Sequence, residues 1–200
     1  MRKILHTLWN TVMLPVRLTA SHRFLNRIGL RSMRDERIRA VLPHCRGRLL
    51  DVGCGEGNLL VHAYSGPGVG VDVFPWPGID VLCDTARLPF ADASFQTVAV
   101  LASLNHIPNR REVLVECRRV LAPDGILLIT MIGPLVGWLR HKLAWWDTDQ
   151  TVRAHAPGEL PGMDDCTVRN LLAQTGFVLT ERRRFVCGLN VLYIAQPSKH

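Results

Sequence analysis

A chain of 200 residues, of which 48% are apolar, is long enough to bury a hydrophobic core, and this composition excludes a disordered polypeptide. The net charge of +7 is unevenly distributed: residues 1–48 hold eleven Lys or Arg and two acids, whereas the remaining 152 hold 13 basic and 15 acidic side chains. All of the excess positive charge therefore lies in the first 48 residues, which argues against a core domain that reads duplex nucleic acid.

Residues 1–46 are predicted to form a basic helical leader. Apolar residues recur at helical spacing from Ile4 to Val16, with Pro15 at the predicted helix end, and a second helix is predicted from about Ser21 to Leu42. Polar residues interrupt the first apolar run and no small-residue cleavage site follows, so a cleaved signal peptide is rejected. No apolar run reaches the length of a membrane span. The six singly spaced cysteines, expected to be reduced, indicate a cytoplasmic protein. An apolar helix face beside Arg and Lys also suits association with an anionic membrane surface.

Residues 47–197 are predicted to form one α/β domain. Short apolar strands alternate with helical patterns, which is typical of a doubly wound, mostly parallel sheet with right-handed crossovers. The first five predicted strands are Arg48–Val52, Val69–Phe74, Asp80–Cys83, Thr97–Leu101 and Ile126–Met131. Helices are predicted from about Gly57 and across Arg110–Leu121. The connection between Asp72 and Asp80 holds two prolines and a glycine and is too short for a full helix, so a loop is predicted there.

The C-terminal third begins with the least regular part of the chain. Residues 133–162 are rich in Trp, Gly and Pro and are interpreted as an irregular insertion. A helix is predicted at Cys166–Thr175, followed by strands Phe177–Phe185 and Leu189–Ala195, which form a closing antiparallel hairpin. Alternation sends Arg182 and Arg184 to one face, which indicates an edge strand at the far side of the sheet.

Six cysteines stand singly in the sequence, without a CxxC pair or a histidine at zinc spacing. We expect them to be reduced and packed as small apolar side chains, with no metal site and no disulfide framework. They are Cys45, Cys54, Cys83, Cys117, Cys166 and Cys187.

A glycine-rich turn follows the first predicted strand. Gly53, Gly55 and Gly57 allow a sharp turn after Asp51 and let a ligand lie against bare backbone, beside helix N–H groups that attract a carboxylate or phosphate. The dinucleotide-binding fingerprint would need a third glycine at position 58, where this chain has Asn58. The spacing therefore disfavours a nicotinamide-dependent oxidoreductase.

Acids stand at the ends of three successive predicted strands, namely Asp51, Asp72 and Asp84. A carboxylate at Asp72 can accept hydrogen bonds from both hydroxyls of a ribose, and one at Asp84 can meet an adenine amino group. Asp51 would repel a pyrophosphate but attract a cationic amino acid. Together with the glycine turn, the three acids predict a site for an adenosyl amino acid.

Four segments in this order resemble the class I S-adenosylmethionine-dependent methyltransferases, specifically the small-molecule type 11 group. They are LLDVGCGEGNLL, GVDVF, CDTARLPFADASF and NHIPNRREVLVECRRVLAPDGILLIT, and they span about Arg48 to Thr130. The resemblance implies a Rossmann-like, seven-stranded fold that binds S-adenosylmethionine and releases S-adenosylhomocysteine. It places Asp51, Gly53, Gly55 and Gly57 at the methionine end, Asp72 at the ribose, Asp84 with Thr85 at the adenine edge, and Leu101 near the cofactor.

The resemblance also implies roles for the two segments outside its motifs. The leader would fold over the cofactor as a lid, and residues 133–162 would lie on the acceptor side. The chain departs from the family at three points: a loop replaces the usual helix after the second strand, Gln96 follows Phe95 where the family usually has Asp, and neither the leader nor residues 133–162 matches a family motif.

The implied reaction is in-line transfer of a methyl group to a small-molecule acceptor, for which a lipid or a saccharide precursor is one option. Orientation of two bound reactants can supply about 7–11 kcal/mol of the barrier. An oxygen acceptor would also need a base, and the candidates are His106, His155 and Glu159. The alternatives are a hydrogen-bonded structural role for His106 and solvated loop positions for the other two. The acceptor atom and the oligomeric state stay open.

Two other functions are compatible with the sequence. One is a protein that binds S-adenosylmethionine without catalysis, and the other is an RNA methyltransferase. The Asn/Asp-Pro-Pro-Phe/Tyr signature of base amino-group methylases is absent, since the corresponding site reads Asn105-His-Ile-Pro108. Because the core domain is also not basic, nucleic acid is the less favoured partner.

Overall fold

A computed structural model describes residues 9, 11–20, 22–143 and 157–198 of the chain. The strands are β1 Leu49–Val52, β2 Gly68–Asp72, β3 Val81–Leu82, β4 Phe95–Leu101, β5 Leu121–Ile132, β6 Phe177–Phe185 and β7 Asn190–Pro197. The α-helices of the described part are α1 Leu14–Thr19, α2 His22–Arg27, α3 Met33–Val41, α4 Leu59–Ala63, α5 Arg110–Val120, α6 Pro134–Leu143 and α7 Asp165–Gln174.

All seven strands form one sheet in the order β3-β2-β1-β4-β5-β7-β6. The first five pair in parallel, and β7 pairs antiparallel with both β5 and β6. The predicted parallel sheet, the closing hairpin and the edge position of β6 are therefore confirmed. The strand order reverses between β1 and β4, and in such sheets ligands bind at the carboxyl ends of the strands next to this switch.

Helices cover both faces of the sheet and bury an apolar core on each side. Along β1 the side chains alternate, so that Leu50 and Val52 pack into the core beneath α5 and α7, whereas Leu49 packs into the core beneath α3 and α4. Asp51 shares its face with Leu49 by the same alternation. The strand that carries the first acid is thereby held rigidly from both sides.

The leader differs from its prediction at two points. The single helix predicted from Ser21 to Leu42 is wrong, because Gly29 takes a positive φ of 71° and the chain breaks into α2 and α3. A new helix then starts at Ser32, whose hydroxyl accepts the Asp35 N–H while the Asp35 carboxylate accepts the Ser32 N–H at 3.0 Å. A helical segment at residues 9, 11 and 12 ends before Pro15, but Pro15 itself lies in the first turn of α1, where its missing N–H has no helical partner to lose.

Two further predictions concern connections between strands. The loop predicted between β2 and β3 is confirmed, since residues 73–80 contain no helical turn. The interpretation of residues 133–162 as an irregular segment is wrong for the first third of this segment, which forms α6. This helix begins at Pro134, and its Gly137 lies against the backbone of Pro161, where a Cβ would clash with the Pro161 carbonyl oxygen.

The cysteines divide into two groups by burial. Cys117 is fully buried in the core, and Cys45, Cys54 and Cys83 are half-buried, which agrees with their expected packing as small apolar groups. Cys166 and Cys187 are exposed, so the expectation is wrong for these two. The described part of the chain contains no helix that is both long and apolar enough to span a bilayer.

Candidate active site

A cavity of about 230 Å³ opens where the strand order reverses, at the carboxyl ends of β1, β2 and β4. Its wall combines the glycine turn, the β2–β3 loop, the segment after β4, part of α3 and Pro161. Six of the eight predicted cofactor-binding residues line it, and these are Asp51, Gly53, Gly55, Asp72, Thr85 and Leu101. The structure therefore brings together residues that lie as much as fifty positions apart in the chain.

Asp51 is a buried acid whose charge is uncompensated. Its side chain is 2% exposed, and its Oδ1 atom has no hydrogen-bond partner among the residues that the structure describes. Burial raises the pKa of Asp51 from 3.8 to about 7, and the negative charge of Asp72 adds to the effect. A ligand cation at this wall would supply both the missing hydrogen bond and the missing charge.

Asp72 holds the glycine turn against the end of β2. Its Oδ2 atom accepts the Gly55 N–H at 2.9 Å, and its Oδ1 atom accepts the Phe74 N–H at 3.0 Å. The carboxylate thereby ties the turn after β1 to the loop after β2.

The first two glycines of the turn are required for different reasons. Gly53 has a φ of +71°, and a Cβ there would lie 2.6 Å from the Cβ of Ser103, whose hydroxyl donates to the Val52 carbonyl at 3.0 Å. Gly55 has a φ of +64°, and a Cβ there would meet nothing within 4 Å, so this residue faces the open cavity. The turn therefore packs tightly on β4 at one glycine and leaves backbone exposed to a ligand at the next.

Gly57 and Asn58 lie behind the cavity wall. The Gly57 N–H donates to the Pro77 carbonyl at 2.8 Å, which ties the turn to the β2–β3 loop. Asn58 is fully buried in a left-handed conformation, and its Nδ2 atom donates to Asp80 Oδ2 at 2.7 Å. Its side chain occupies the space above Gly70, where a Cβ would clash with it. The position that the dinucleotide fingerprint reserves for glycine thus holds a packed, hydrogen-bonded side chain here.

The wall beyond Asp72 differs in detail from the predicted adenine edge. Asp84 is exposed and lies outside the wall, where its Oδ1 atom accepts the Ala86 N–H at 2.9 Å. Thr85 is buried and lines the cavity. Trp76 also lines it, with its ring centroid 4.5 Å from that of Phe74. We did not predict Trp76, although an aromatic residue between two prolines in the short β2–β3 loop was a usable signal.

Two of the three candidate bases form a pair. His106 Nδ1 lies 3.2 Å from Glu159 Oε2, and the two side chains are 19% and 6% exposed, respectively. His106 lines the cavity. Because the Glu159 side chain is buried, the alternative of a solvated loop position is wrong for this residue. His155, the third candidate, lies outside the described residues.

A set of backbone contacts holds Glu159 in place. Asn105 Nδ2 donates to the Leu160 carbonyl at 3.0 Å, and the Leu160 N–H donates to the Asn105 carbonyl at 2.8 Å. Arg110 donates to the Gly158 carbonyl at 2.7 Å. Asn105 is 2% exposed at the cavity wall, and its Oδ1 atom has no partner within the described part of the chain. The sequence did not point to Asn105, because its partners lie more than fifty residues away.

The leader also contributes to the wall, through Arg34, Arg37 and Ile38 of α3. Arg37 Nε donates to Asn190 Oδ1 at 3.2 Å, which anchors the helix to the first residue of β7. Two arginines of the leader therefore share the cavity wall with the acids at the ends of β1 and β2. This arrangement agrees with a covering role for the leader, which stays a prediction.

Comparison with known proteins agrees with this architecture. Residues 50–129 match the model of a family described as methyltransferase domain. The ubiquinone biosynthesis O-methyltransferase of Idiomarina loihiensis is 30% identical over 183 residues, which cover 76% of this chain and 74% of that protein. The 27-O-demethylrifamycin SV methyltransferase of Amycolatopsis mediterranei is 31% identical over 119 residues. That match covers 47% of this chain and only 42% of the relative, so the chain spans less than half of that relative's length.

Among solved structures, the 1,6-didemethyltoxoflavin-N1-methyltransferase of Burkholderia thailandensis, crystallised with 1,6-didemethyltoxoflavin and S-adenosylhomocysteine, has a TM-score of 0.60. The superposition covers 82% of this chain and 77% of that one at 16% identity, which supports the shared fold alone. The sheet order, the acid-lined cavity at the strand switch and a relative aligned over three quarters of this chain lead to one conclusion: the chain belongs to the class I S-adenosylmethionine-dependent methyltransferases.

Proposed function

We propose that this protein transfers the methyl group of S-adenosylmethionine to a hydroxyl of a small-molecule acceptor. The observation that carries the proposal is the His106–Glu159 pair, whose histidine lines the same cavity as the buried acid Asp51. One side of the cavity thus offers groups that suit the cofactor, and another offers a base for the acceptor.

The residues present fit the cofactor. When bound, S-adenosylmethionine supplies an electrophilic methyl group on a positively charged sulfur. Asp51 would hold its ammonium group, because the unpartnered Oδ1 atom and the raised pKa both call for a cation. Gly53 and Gly55 would leave room for the methionine end, and Asp72 would accept the ribose hydroxyls. We assign the adenine side to Thr85 and Trp76 rather than to the exposed Asp84.

The His106–Glu159 pair supports base catalysis at an oxygen acceptor. An ionised Glu159 can only accept a hydrogen bond, so with a neutral His106 the ring proton would lie on Nδ1, facing Glu159, and Nε2 would carry the lone pair. His106 Nε2 would take the hydroxyl proton as the acceptor oxygen bonds to the methyl carbon and the sulfur–methyl bond breaks, which would leave neutral S-adenosylhomocysteine. Glu159 would orient the ring and stabilise the imidazolium that forms. Such a base contributes about 10²–10⁴-fold to the rate.

The size and charge of the site favour a small acceptor. The cavity of about 230 Å³ and the slightly acidic core domain do not provide the basic groove that RNA requires. The names of the two relatives, which concern ubiquinone biosynthesis and demethylrifamycin, also describe small molecules. The placement of His106 at the cavity wall, with Glu159 behind it, favours a catalytic protein over one that only binds the cofactor.

The test is transfer of a labelled methyl group from the cofactor to extracted lipids, saccharides, phenolic metabolites and RNA. With the accepted class, His106→Asn is expected to lower kcat by about 10²–10⁴-fold and Glu159→Gln by about tenfold, without change in the Kd of the cofactor. The matched controls are His62→Asn and Glu181→Gln, which alter exposed residues on α4 and β6. Full activity of both site variants would refute the base assignment, and cofactor binding with no transfer to any class would favour the non-catalytic alternative.

A further inference from the structure

Two separate segments of the chain lack acidic residues altogether. Residues 1–34 hold seven Lys or Arg and no Asp or Glu, and residues 126–146 hold Arg140 and Lys142 and no acid. Helices α1 and α2 come from the first segment and α6 from the second. Because α1 packs against α6, the fold places these two acid-free stretches side by side.

Helix α6 turns its apolar side chains away from the protein. At about 100° per residue, Leu135, Trp138 and Leu139 lie on the face opposite Gly137, which is the residue held against Pro161. These three side chains are 70%, 50% and 44% exposed, respectively. Lys142 lies on the same outward face, with its Nζ atom 4.6 Å from the Trp138 ring centroid.

The leader adds apolar surface of the same kind. Trp9 and Val12, three positions apart, are 53% and 70% exposed, and Ile28 after α2 is 43% exposed. Arg27, the last residue of α2, is exposed as well. Large apolar side chains interleaved with Lys and Arg and without any acid are typical of helices that lie in the interface of an anionic bilayer.

The position of this surface relates it to the cavity. β5 ends at Ile132, two residues before α6 begins, and Pro161 contacts Gly137 of α6. Both Ile132 and Pro161 line the cavity wall. Helix α6 therefore adjoins the cavity wall through its inner side, with its apolar face turned outward.

We propose that the outward face of α6, together with the exposed apolar residues of the leader, docks on an anionic phospholipid surface. The charge of the two segments complements anionic headgroups, while Trp138, Leu135 and Leu139 reach the acyl boundary. Insofar as the proposed methyl transfer holds, this docking gives the cavity access to an acceptor that carries an apolar tail and resides in the bilayer.

The experiment is flotation of the full chain with phosphatidylcholine vesicles, with and without phosphatidylglycerol. The chain is expected to float with the anionic vesicles, to float less with neutral ones, and to be released by high salt. The double variant Leu135→Glu/Leu139→Glu is expected to lower the partition coefficient by at least about 30-fold, because it removes apolar area and adds repulsive charge. Lys142→Gln is expected to lower it by about fivefold.

The matched control places the same two charges elsewhere. Val115→Glu/Val178→Glu alters side chains that are 46% and 53% exposed on α5 and β6, and it is expected to float like the unaltered chain. Cofactor binding and far-UV circular dichroism of every variant show that the fold and the methyl-donor site persist, so a failure here is distinct from a failure of the proposed function. Recovery of the unaltered chain in the soluble fraction, equal flotation of both double variants, or a dimer that only Leu135→Glu/Leu139→Glu dissociates would overturn the proposal.

Discussion

The pKa of Asp51 couples the stability of the fold to binding of the cofactor. Burial and the neighbouring Asp72 raise this pKa from 3.8 to about 7. Between these two values the folded protein retains a proton that the unfolded chain releases, so the free energy of unfolding falls as the pH rises and levels off above about pH 7. A shift of about three pH units corresponds to about 4 kcal/mol. The ionised acid is therefore a source of instability at neutral pH until a cation binds beside it.

Asp51→Asn removes the titrating group while keeping its shape. Relative to the unaltered chain, the free energy of unfolding of this variant is expected to rise by up to about 4 kcal/mol between about pH 4 and about pH 8. Its affinity for S-adenosylmethionine is expected to fall about 10- to 100-fold at the higher pH, because a hydrogen bond to a charged group is worth about 1.5–3 kcal/mol. The unaltered chain should bind the cofactor more tightly as the pH rises towards 7.

Urea unfolding at a series of pH values measures the first effect, and titration calorimetry with the cofactor measures the second. Asp124→Asn, which alters an exposed acid in β5, serves as the matched control and should change neither quantity. Unfolding curves for Asp51→Asn that stay parallel to those of the unaltered chain across this pH range would refute the buried-charge reasoning. Unchanged cofactor affinity would refute the role assigned to Asp51.

Two further predictions concern the turn and the acid that holds it. Gly53→Ala is expected to destabilise the fold by about 2–4 kcal/mol, because its methyl group meets Ser103 at a positive φ. Gly55→Ala should cost only about 1–2 kcal/mol of stability yet abolish cofactor binding, because its methyl group projects into the cavity. Thermal unfolding measures the stability of both glycine variants and calorimetry measures their cofactor affinity. Equal losses of stability in the two variants would contradict this distinction. Asp72→Ala should cost about 1–3 kcal/mol of stability, because it leaves the Gly55 N–H without its acceptor. Its affinity for the cofactor, measured by calorimetry, should fall about 100-fold. Binding at the level of the unaltered chain would show that Asp72 does not contact the cofactor.

The sequence correctly predicted the features that depend on local residue patterns. Strand periodicity located the sheet, and the glycine turn with Asp51 and Asp72 located the cavity, because a turn after a parallel strand must lie at the carboxyl edge. The loop after β2 followed from two prolines and a glycine in a short connection. The single helix predicted across the leader is wrong, because Gly29 takes a left-handed conformation and divides it into two helices. Helical spacing of apolar residues continues through such a break and does not reveal it.

By itself, then, the sequence determined the fold class and predicted the side of the sheet on which the methyl donor is expected to bind. Only the tertiary structure decided that His106 and Glu159 form a pair, because 53 positions separate them and a hydrogen bond across that distance has no local signature. The same holds for the buried state of Asp51, which depends on packing against elements from three parts of the chain. It holds also for the surface of α6, whose exposure follows from Gly137 meeting Pro161 on the opposite side. Local sequence sets backbone conformation, whereas the burial and pairing of side chains depend on which distant segments of the chain pack together in the folded structure.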